Sequence, residues 1–292
     1  MMDLQSKTIP TPGSHPNVKY DARRVFEVLR SGGVAIVPTE VGYGLMASST
    51  EAIQKAFAAK RRRPGHAQGV IGSLKLHREL HVLPDEKLEM IRVLHQDLDM
   101  SFGIVAPFRS EHPILQQLTP ATMANTTKNG TLGIYVSGSS LLMELCRLND
   151  EAGQLMLGSS ANLTGTGQKF RVEDVEPEIK EAADIIVDYG LQRYHIYGGR
   201  PSTNIDFENM KVLRMGSSYE LLRERVKKYW GVELPEDPMF DRYQPKDAES
   251  RKEIAGGNEE KDKVTMNDEL IVNNEESKGG SLRRKMTKLL RR

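Results

Sequence analysis

The feature that most constrains the fold is the alternation of short, β-branched apolar runs with segments of helical periodicity along residues 20–230. Apolar residues recur every three or four positions within 21–31, and a strand-length apolar run follows at 33–38. Strands and helices that alternate along a chain form layers of helix on sheet, so we expect an α/β fold. The same patterns predict helices at 51–61, 85–98, 139–148, 172–183 and 219–230, strands at 69–74, 102–108, 131–136, 154–160, 183–190, 202–207 and 211–216, and a loop at 39–44.

Charge divides the chain into unequal parts, although its 41 basic and 40 acidic side chains almost cancel. Residues 236–292 hold 26 charged residues in 57, whereas the preceding 235 residues hold 55. A segment so rich in charge and so poor in large apolar residues buries too little surface to offset the entropy of ordering it. We therefore expect a flexible segment at 1–18, one domain at 19–234, and a charged, mostly disordered tail at 235–292.

The ends of the chain and its cysteine content suggest a location. The last ten residues carry six bases and no acid, a pattern typical of contact with RNA, an anionic membrane or an import receptor, or simply of a solvated tail. The single cysteine, Cys146, cannot form an internal disulfide, which favours a reducing compartment. No apolar run approaches the ~20 residues that span a bilayer, and the polar opening segment does not resemble a secretory signal. The sequence predicts a cytoplasmic protein, with the basic end allowing a nuclear location.

Several common catalytic motifs are missing from the sequence. It contains no phosphate loop, no dinucleotide-binding glycine pattern, no nucleophile elbow and no H-E-x-x-H zinc motif. Cys146 lies in an apolar helical pattern, so we expect it in the core. His77 and His81 would share one face of a helix and could begin a metal site, but no third ligand lies near them in the sequence. Surface histidines are therefore the better prediction.

Two polar clusters remain as candidate binding sites. Lys60, Arg61, Arg62 and Arg63 are consecutive at the end of a predicted helix, where one or two cations would already complement the helix dipole. Four adjacent cations repel each other, and bound phosphate groups would relieve that repulsion. Residues 158–167 are small, hydroxyl-bearing or amide side chains after an apolar strand, where α/β sheets bind ligands. An ordinary turn with a helix cap is the alternative for this segment.

Four segments together resemble the YrdC/YciO-like family, which comprises threonylcarbamoyl-AMP synthases and their paralogues. The opening LRSGGVAIVPTEVGYGL is similar to the family's helix, double glycine, strand and PTET-YGL pattern. The basic run in AAKRRRP resembles K-x-R-P, and LGSSANLTG resembles P-S-A-N-x-S-G. The segment GGRPSTNIDFENMKVLRMG resembles GG-x-ESTVVD-x-x-ILRPG. The resemblance covers about residues 20–220, with its motifs in the family's order.

The resemblance implies one YrdC-like α/β domain, in which a twisted, open, mixed sheet and flanking helices surround a concave basic cavity. It also implies a nucleotidyltransferase that joins L-threonine, bicarbonate and ATP into threonylcarbamoyl-AMP and pyrophosphate. That product feeds the threonylcarbamoyladenosine modification of tRNA. Mg²⁺ would bridge the phosphates of ATP, and a cage of protein ligands is not expected. Members of the family are also known to bind double-stranded RNA.

Residue by residue, the resemblance implies roles for nine side chains. Lys60 and Arg62 match K-x-R and would be catalytic, phosphate-holding cations. Arg63 competes with Arg62 because the family's arginine directly precedes proline. Ser160 and Asn162 would contact the nucleotide or threonine. Ser202 and Arg214 would make further contacts to the nucleotide. Thr39 and Tyr43 would belong to a loop on the substrate side.

The sequence departs from the family pattern at several positions. The lysine that follows K-x-R-P is absent from HAQGV, and Tyr135 stands where an arginine is usual. Pro201 replaces the glutamate of ESTVVD, and Val41 replaces the second threonine of PTET, a form closer to the YciO-type branch. Each lost charge-assisted contact costs about 1.5–3 kcal/mol. Two alternatives therefore accompany the synthase: a module that binds nucleotide or RNA without ligation, and an enzyme that makes a different carbamoyl or acyl adenylate.

Overall fold

The computed structural model describes residues 7–62 and 68–238. Arg63 and residues 239–292, which hold most of the predicted disordered tail and its basic end, lie outside the described residues. Within them the strands are β1 (Thr8–Ile9), β2 (Val34–Thr39), β3 (Gly42–Ala47), β4 (Gly69–Ile71), β5 (Phe102–Pro107), β6 (Thr127–Lys128), β7 (Thr131–Val136), β8 (Leu157–Ser160), β9 (Ile185–Val187), β10 (Asn204–Asp206) and β11 (Lys211–Arg214). The α-helices are α1 (Val18–Arg30), α2 (Thr50–Ala59), α3 (Leu74–Leu80), α4 (Asp85–Arg92), α5 (Pro120–Thr126), α6 (Ser140–Ala152), α7 (Pro177–Ala182) and α8 (Tyr219–Trp230).

The described strands form one open, mixed sheet, which confirms the predicted α/β class. Its order is β1-β9-β2-β3-β8-β4-β7-β5-β10-β11, and β6 pairs with β7 beside β4. Neighbouring strands run antiparallel in the β2–β3, β3–β8 and β5–β7 pairs and parallel in the β2–β9, β4–β7 and β5–β10 pairs. The parallel pairs require the long helical crossovers that produced the alternating pattern in the sequence.

Each face of the sheet is covered by its own apolar cluster. Strand β2 is buried along its whole length because its side chains alternate between the two. Val34 and Ile36 pack in the cluster that includes α2, α4 and α8. Ala35 and Val37 pack in the cluster that includes α1 and α6, together with Cys146. The prediction of a core position for Cys146 is thus confirmed, and burial raises the pKa of its thiol to about 12.

Several predicted elements differ in the structure. The strand expected at 69–74 ends at Ile71, and α3 begins at Leu74; the strand expected at 183–190 covers only Ile185–Val187. The loop expected at 39–44 is wrong: Gly42–Ala47 form the buried strand β3, and the turn is only two residues long. Two glycines at the start of this strand concealed it, because glycine has low strand propensity and no side chain to show the alternation. The helix expected at 172–183 shrinks to α7, since Pro177 occupies its first position, where a missing N–H does no harm.

The structure also orders parts of both predicted terminal segments. In the segment expected to be flexible, β1 pairs with β9, and Ile9 is buried in the core. At the other end, Pro235 accepts a hydrogen bond from the Tyr219 hydroxyl at 2.5 Å, and Asp237 forms an ion pair with buried Arg200. None of the described helices is both long enough and apolar enough to cross a membrane.

His77 and His81 are buried, so the prediction of surface histidines is wrong. They lie at the end of α3, where their Nδ1 atoms are 2.7 Å apart, and His81 Nε2 donates to the Leu132 carbonyl at 3.1 Å. Burial and the neighbouring histidine lower the pKa of His77 to about 3, and burial lowers that of His81 to about 4. The short α3 and the pairing of β7 with its neighbours, not local sequence, bring this pair inside.

Candidate ligand-binding site

A cavity of about 870 Å³ opens on the sheet face that also carries α1 and α6. This volume is typical of sites for cofactor-sized molecules. Four cations line it, of which two were predicted, Arg62 and Arg214, and two were not, Lys128 and Lys211. Two acids, Asp206 and Glu208, also line it, and the Asp206 carboxylate already accepts hydrogen bonds from the turn that follows β10. The cavity lining therefore carries an excess of positive charge.

The predicted site residues converge on this cavity to different degrees. Lys60 and Asn162 contact the segment around Ser160 and are not among the cavity-lining residues of the described chain. Arg63 lies outside the described residues. Six of the nine line the cavity: Thr39, Tyr43, Arg62, Ser160, Ser202 and Arg214.

Lys60 ends α2 and ties it to the segment that follows β8. Its Nζ donates to the Ser160 carbonyl, to the Asn162 carbonyl at 2.7 Å and more weakly to Asn162 Oδ1 at 3.4 Å. In return, the Lys60 carbonyl accepts hydrogen bonds from the backbone and hydroxyl of Thr164. The side chain is only 1% exposed. Burial and the nearby Arg62 charge lower the pKa of Lys60 to about 7.

Arg62 lies two residues further and turns towards the cavity. Its guanidinium lies 5.5 Å from the centre of the Phe57 ring, within range of a cation–π contact. Arg61, between the two, forms an ion pair with Glu178 at 3.0 Å on the surface. The basic run thus divides: one lysine is buried, one arginine lines the cavity and one arginine is exposed.

Ser202 and Arg214 meet directly at the opposite end of the sheet. Arg214 Nη2 donates to Ser202 Oγ at 2.7 Å, and Arg214 Nε donates to the Ser202 carbonyl at 2.7 Å. Both residues come from one motif, and the β10–β11 hairpin brings them together. At Gly216 the chain passes close to the backbone of Pro201, Ser202 and Thr203, and this contact holds the hairpin in place.

Replacing Gly216 with alanine is expected to destabilise this end of the sheet by about 1–3 kcal/mol. A methyl group there would overlap with the backbone of Pro201, Ser202 and Thr203, which cannot move aside like a flexible side chain. Urea denaturation would measure the effect. Leu213→Ala, at a half-exposed side chain on the same hairpin, is the matched control and should change stability by about 0.5 kcal/mol or less. Equal stabilities of Gly216→Ala and wild type would contradict the packing described here.

Thr39 and Tyr43 use their hydroxyls within the protein. Thr39 Oγ1 donates to the Gly42 carbonyl at 2.6 Å across the β2–β3 turn. The Tyr43 hydroxyl donates to the Gly190 carbonyl at 2.8 Å and accepts from the Tyr189 N–H at 3.1 Å. Burial, followed by the Asp188 charge, raises the pKa of Tyr43. Both residues line the cavity, and their hydroxyls are held by the chain.

A buried carboxylate beside the cavity was not predicted. Glu40, 4% exposed at the tip of the β2–β3 turn, accepts hydrogen bonds from Ser101 at 2.8 Å, Ser137 at 2.7 Å and Tyr135 at 3.4 Å. Among the described residues, no lysine or arginine forms an ion pair with it. Burial, followed by the Glu40 charge, raises the pKa of Tyr135 well above its ordinary value. The only sequence signal was the position of Glu40 inside a motif already singled out.

The other missed residues gave little local signal. Lys128 lies on the two-stranded β6–β7 hairpin, in a segment without a recognised motif. Lys211 lies on β11 inside the GGRPSTNIDFENMKVLRMG segment, at a position that the family motif leaves unspecified. Only the sheet brings them to one cavity. Within residues 7–62 and 68–238, no group of three or more histidine, cysteine or acidic side chains is arranged to hold a metal ion.

An open mixed sheet with a basic cavity on one face defines an α/β domain whose cavity has the volume of a cofactor-sized site and an excess of positive charge. A family model for Sua5, YciO and YrdC proteins, described as telomere recombination, matches residues 27–216. This match covers well over half of the chain, and the chain belongs to this family.

Solved structures share the fold at low sequence identity. A hypothetical protein from Streptococcus mutans UA159 is 20% identical with a TM-score of 0.62, over 78% of this chain and 96% of that one. P. abyssi Sua5, solved in complex with L-threonine, is 20% identical with a TM-score of 0.58, over 76% of this chain and 61% of that one. E. coli YciO is 19% identical with a TM-score of 0.51, over 70% of this chain and 91% of that one. This chain thus spans about three fifths of the length of Sua5.

Proposed function

We propose that this protein is a threonylcarbamoyl-AMP synthase-like nucleotidyltransferase acting in the cytoplasm. The observation that carries the proposal is the meeting of motif residues from three distant segments, Arg62, Ser160 and the Ser202–Arg214 pair, around one cavity of about 870 Å³. The threonine bound to the related Sua5 supports threonine as the acceptor. The product would serve the threonylcarbamoyladenosine modification of tRNA.

The proposed reaction forms two bonds in sequence. The amine of L-threonine captures carbon dioxide, supplied by bicarbonate with loss of water, as a carbamate. A carbamate oxygen then attacks the α-phosphorus of ATP, and the bond to the β-phosphate oxygen breaks to release pyrophosphate. Mg²⁺ would bridge the phosphates and arrive with ATP. Catalysis of this kind rests on positioning and on stabilising charge that develops on the phosphates.

The proposed site residues form two groups. Residues of the first group would contact phosphate, and residues of the second group would hold other site residues in place. Arg62 and Arg214 are the proposed phosphate contacts, because both line the cavity and arginine matches phosphate geometry. Arg63, at the alternative arginine position, is a third candidate. Lys60 is proposed to act by fixing the segment of Ser160 and Asn162, of which Ser160 lines the cavity and would contact the nucleotide or threonine. Thr39 and Tyr43 are proposed to shape the threonine side of the cavity.

The test is pyrophosphate release by purified protein with L-threonine, bicarbonate, ATP and Mg²⁺. We expect release that depends on threonine and that Arg62→Ala lowers about 10- to 150-fold in kcat/KM, the equivalent of one charge-assisted contact of about 1.5–3 kcal/mol. Arg61→Ala is the matched control, because Arg61 is exposed and paired with Glu178, and it should leave the rate unchanged. Absence of threonine-dependent release beside an active synthase would reject the proposal.

Tyr135 favours a second candidate, a domain that binds nucleotide or RNA without ligation. Its hydroxyl contacts the Glu40 carboxylate, so an uncharged side chain occupies the position at which the family has an arginine. Binding to RNA phosphates would weaken steeply with salt. Tight, salt-dependent binding without pyrophosphate release would favour this candidate over the synthase.

A third candidate is an adenylate-forming enzyme with another acceptor. It would release pyrophosphate only when a different amino acid or acyl donor replaces threonine.

A further inference from the structure

Glu176, directly before α7, lies outside the family's motifs, yet its carboxylate contacts the loop of residues 163–169 that follows β8. Its Oε1 accepts from the Thr166 hydroxyl at 2.6 Å and pairs with Lys169 Nζ at 3.0 Å. Its Oε2 accepts from the Leu163 N–H at 3.2 Å. Burial by itself would raise the pKa of Glu176, but these hydrogen bonds, together with one from its own N–H, lower that pKa to about 2. One carboxylate, 17% exposed, is thus bound to both ends and the middle of the loop.

Lys60 and Glu176 bind the two polar ends of one peptide group, the one between Asn162 and Leu163. Lys60 Nζ donates to its carbonyl at 2.7 Å, and the Glu176 carboxylate accepts from its N–H at 3.2 Å. Hydrogen bonds with a charged partner are stronger than neutral ones, so this peptide group is held firmly from both sides. The two charges also act on each other: burial and Arg62 lower the pKa of Lys60, whereas the Glu176 charge raises it.

The loop of residues 163–169 reaches the cavity at β3. Gln168 lines the cavity, and the Lys169 carbonyl accepts from the Tyr43 N–H at 2.8 Å. Gly42 permits this close approach, because a methyl group there would lie 2.7 Å from the Lys169 carbonyl oxygen. Its φ of +110° also favours glycine over any other residue. The loop therefore connects Glu176 to the cavity wall that Tyr43 and Gln168 form, on the side proposed to receive threonine.

We propose that Glu176 is a positioning residue of this site, which fixes the wall of Tyr43 and Gln168 for an amino-acid acceptor through the loop of residues 163–169. The inference rests on the proposed function for the identity of the acceptor. A carboxylate is required because all three of its partners donate. Glutamine has one accepting oxygen, so its NH₂ group would face either the Leu163 N–H or the Lys169 ammonium. Either arrangement leaves one of the loop's donors without its acceptor.

Steady-state pyrophosphate release at varied L-threonine tests this role. Glu176→Gln is expected to raise the KM for threonine at least tenfold, the low end of the worth of one charge-assisted hydrogen bond. Its kcat should change less than about twofold, because the proposed phosphate contacts are untouched. A purely structural role would instead unfold part of the protein, which lowers kcat and leaves KM unchanged. Glu178→Gln is the matched control on α7, because Glu178 is half-exposed and pairs with exposed Arg61, and it should alter neither constant.

Amide hydrogen exchange of the free protein, followed by NMR, tests the same role without substrate. In Glu176→Gln the amides of Leu163 and Tyr43 are expected to exchange at least tenfold faster than in the wild type, because the loop opens more often. Tyr43 is the informative position, since it reports on β3 and is reached from Glu176 only through the Lys169 carbonyl. Leu45, further along β3 and paired with both β2 and β8, is the internal reference and should exchange at the wild-type rate.

Three results would overturn the positioning role: wild-type exchange at Leu163 and Tyr43 in Glu176→Gln, equally faster exchange at Leu45, or a lower kcat with an unchanged KM. The second and third would mean that the carboxylate serves the fold as a whole. The two measurements separate this inference from the proposed function. Selectively faster exchange in a protein without threonine-dependent release upholds the held wall and rejects the synthase. Threonine-dependent release with an unchanged KM in Glu176→Gln upholds the synthase and rejects the positioning role.

Discussion

Lowering the pH from 7.5 to 5.0 is expected to reduce the free energy of unfolding by about 4 kcal/mol through His77 and His81 alone. Their pKa values are about 3 and about 4 in the folded protein, against an ordinary 6.5 in the unfolded chain. Below pH 6.5 the unfolded state therefore binds two protons that the folded state does not, and folding loses about 1.4 kcal/mol per proton and pH unit. The loss ends near pH 3–4, where the buried pair is protonated as well.

The geometry of the pair explains why it resists protonation. A carbonyl only accepts, so His81 Nε2 must carry the hydrogen that bonds to Leu132. Neutral His81 then accepts at Nδ1 from His77, and His77 Nε2 is left without a partner among the described residues. Protonation of His81 would put two N–H groups face to face at 2.7 Å. Protonation of His77 would bury a charge without a carboxylate.

Urea denaturation at the two pH values measures this effect. The double variant His77→Leu with His81→Leu is expected to lose most of the pH dependence, whatever its stability at pH 7.5. His15→Asn, at an exposed side chain, is the control and should keep the full dependence. A wild-type protein as stable at pH 5.0 as at 7.5 would show that the pair is not held neutral.

Replacing Lys60 with methionine is expected to lower the proposed pyrophosphate release about 100-fold, which corresponds to about 2.7 kcal/mol in the barrier. The methionine fills the same space but leaves the carbonyls of Ser160 and Asn162 without their donor. The segment that would contact the nucleotide is then no longer fixed to α2. Lys55→Met is the matched control on the same helix, because Lys55 is exposed and paired with Asp184 on the surface.

Stability tests the Lys60 environment without any assumption about function. The pKa of Lys60 is about 7 in the folded protein and 10.5 ordinarily, so between these values the unfolded chain binds one proton more. Stability should therefore rise with pH, by about 2 kcal/mol between pH 7 and 9. Lys60→Met should lack this rise, whereas Lys55→Met should keep it. If Lys60→Met and the wild type respond equally to pH, the ammonium is not buried as described.

Local sequence was sufficient where one segment supplies the whole signal. The face of Ala22, Val25 and Phe26 predicted α1, because a helix places such residues together whatever surrounds it. The K-x-R and S-x-N patterns, read in order with their flanking strands, indicated the family before the fold was known. The same reasoning failed for β3, whose strand character comes from pairing on both edges with β2 and β8.

The sequence by itself determined the α/β class, the family and the segments that carry its motifs, because periodicity and motif order are local properties of the chain. Only the tertiary structure decided that Lys60 is buried beneath Ser160, that His77 and His81 pair inside the core, and that Glu40 meets Tyr135. It also decided that Gly158, Gly69 and Gly133, from three neighbouring strands, lie side by side in the cavity lining. The contacts of Lys60 and Glu40 depend on strand register and on burial, which arise between residues up to about a hundred positions apart and leave no pattern within any one segment. The spacing of His77 and His81 is visible in the sequence, but their burial is not.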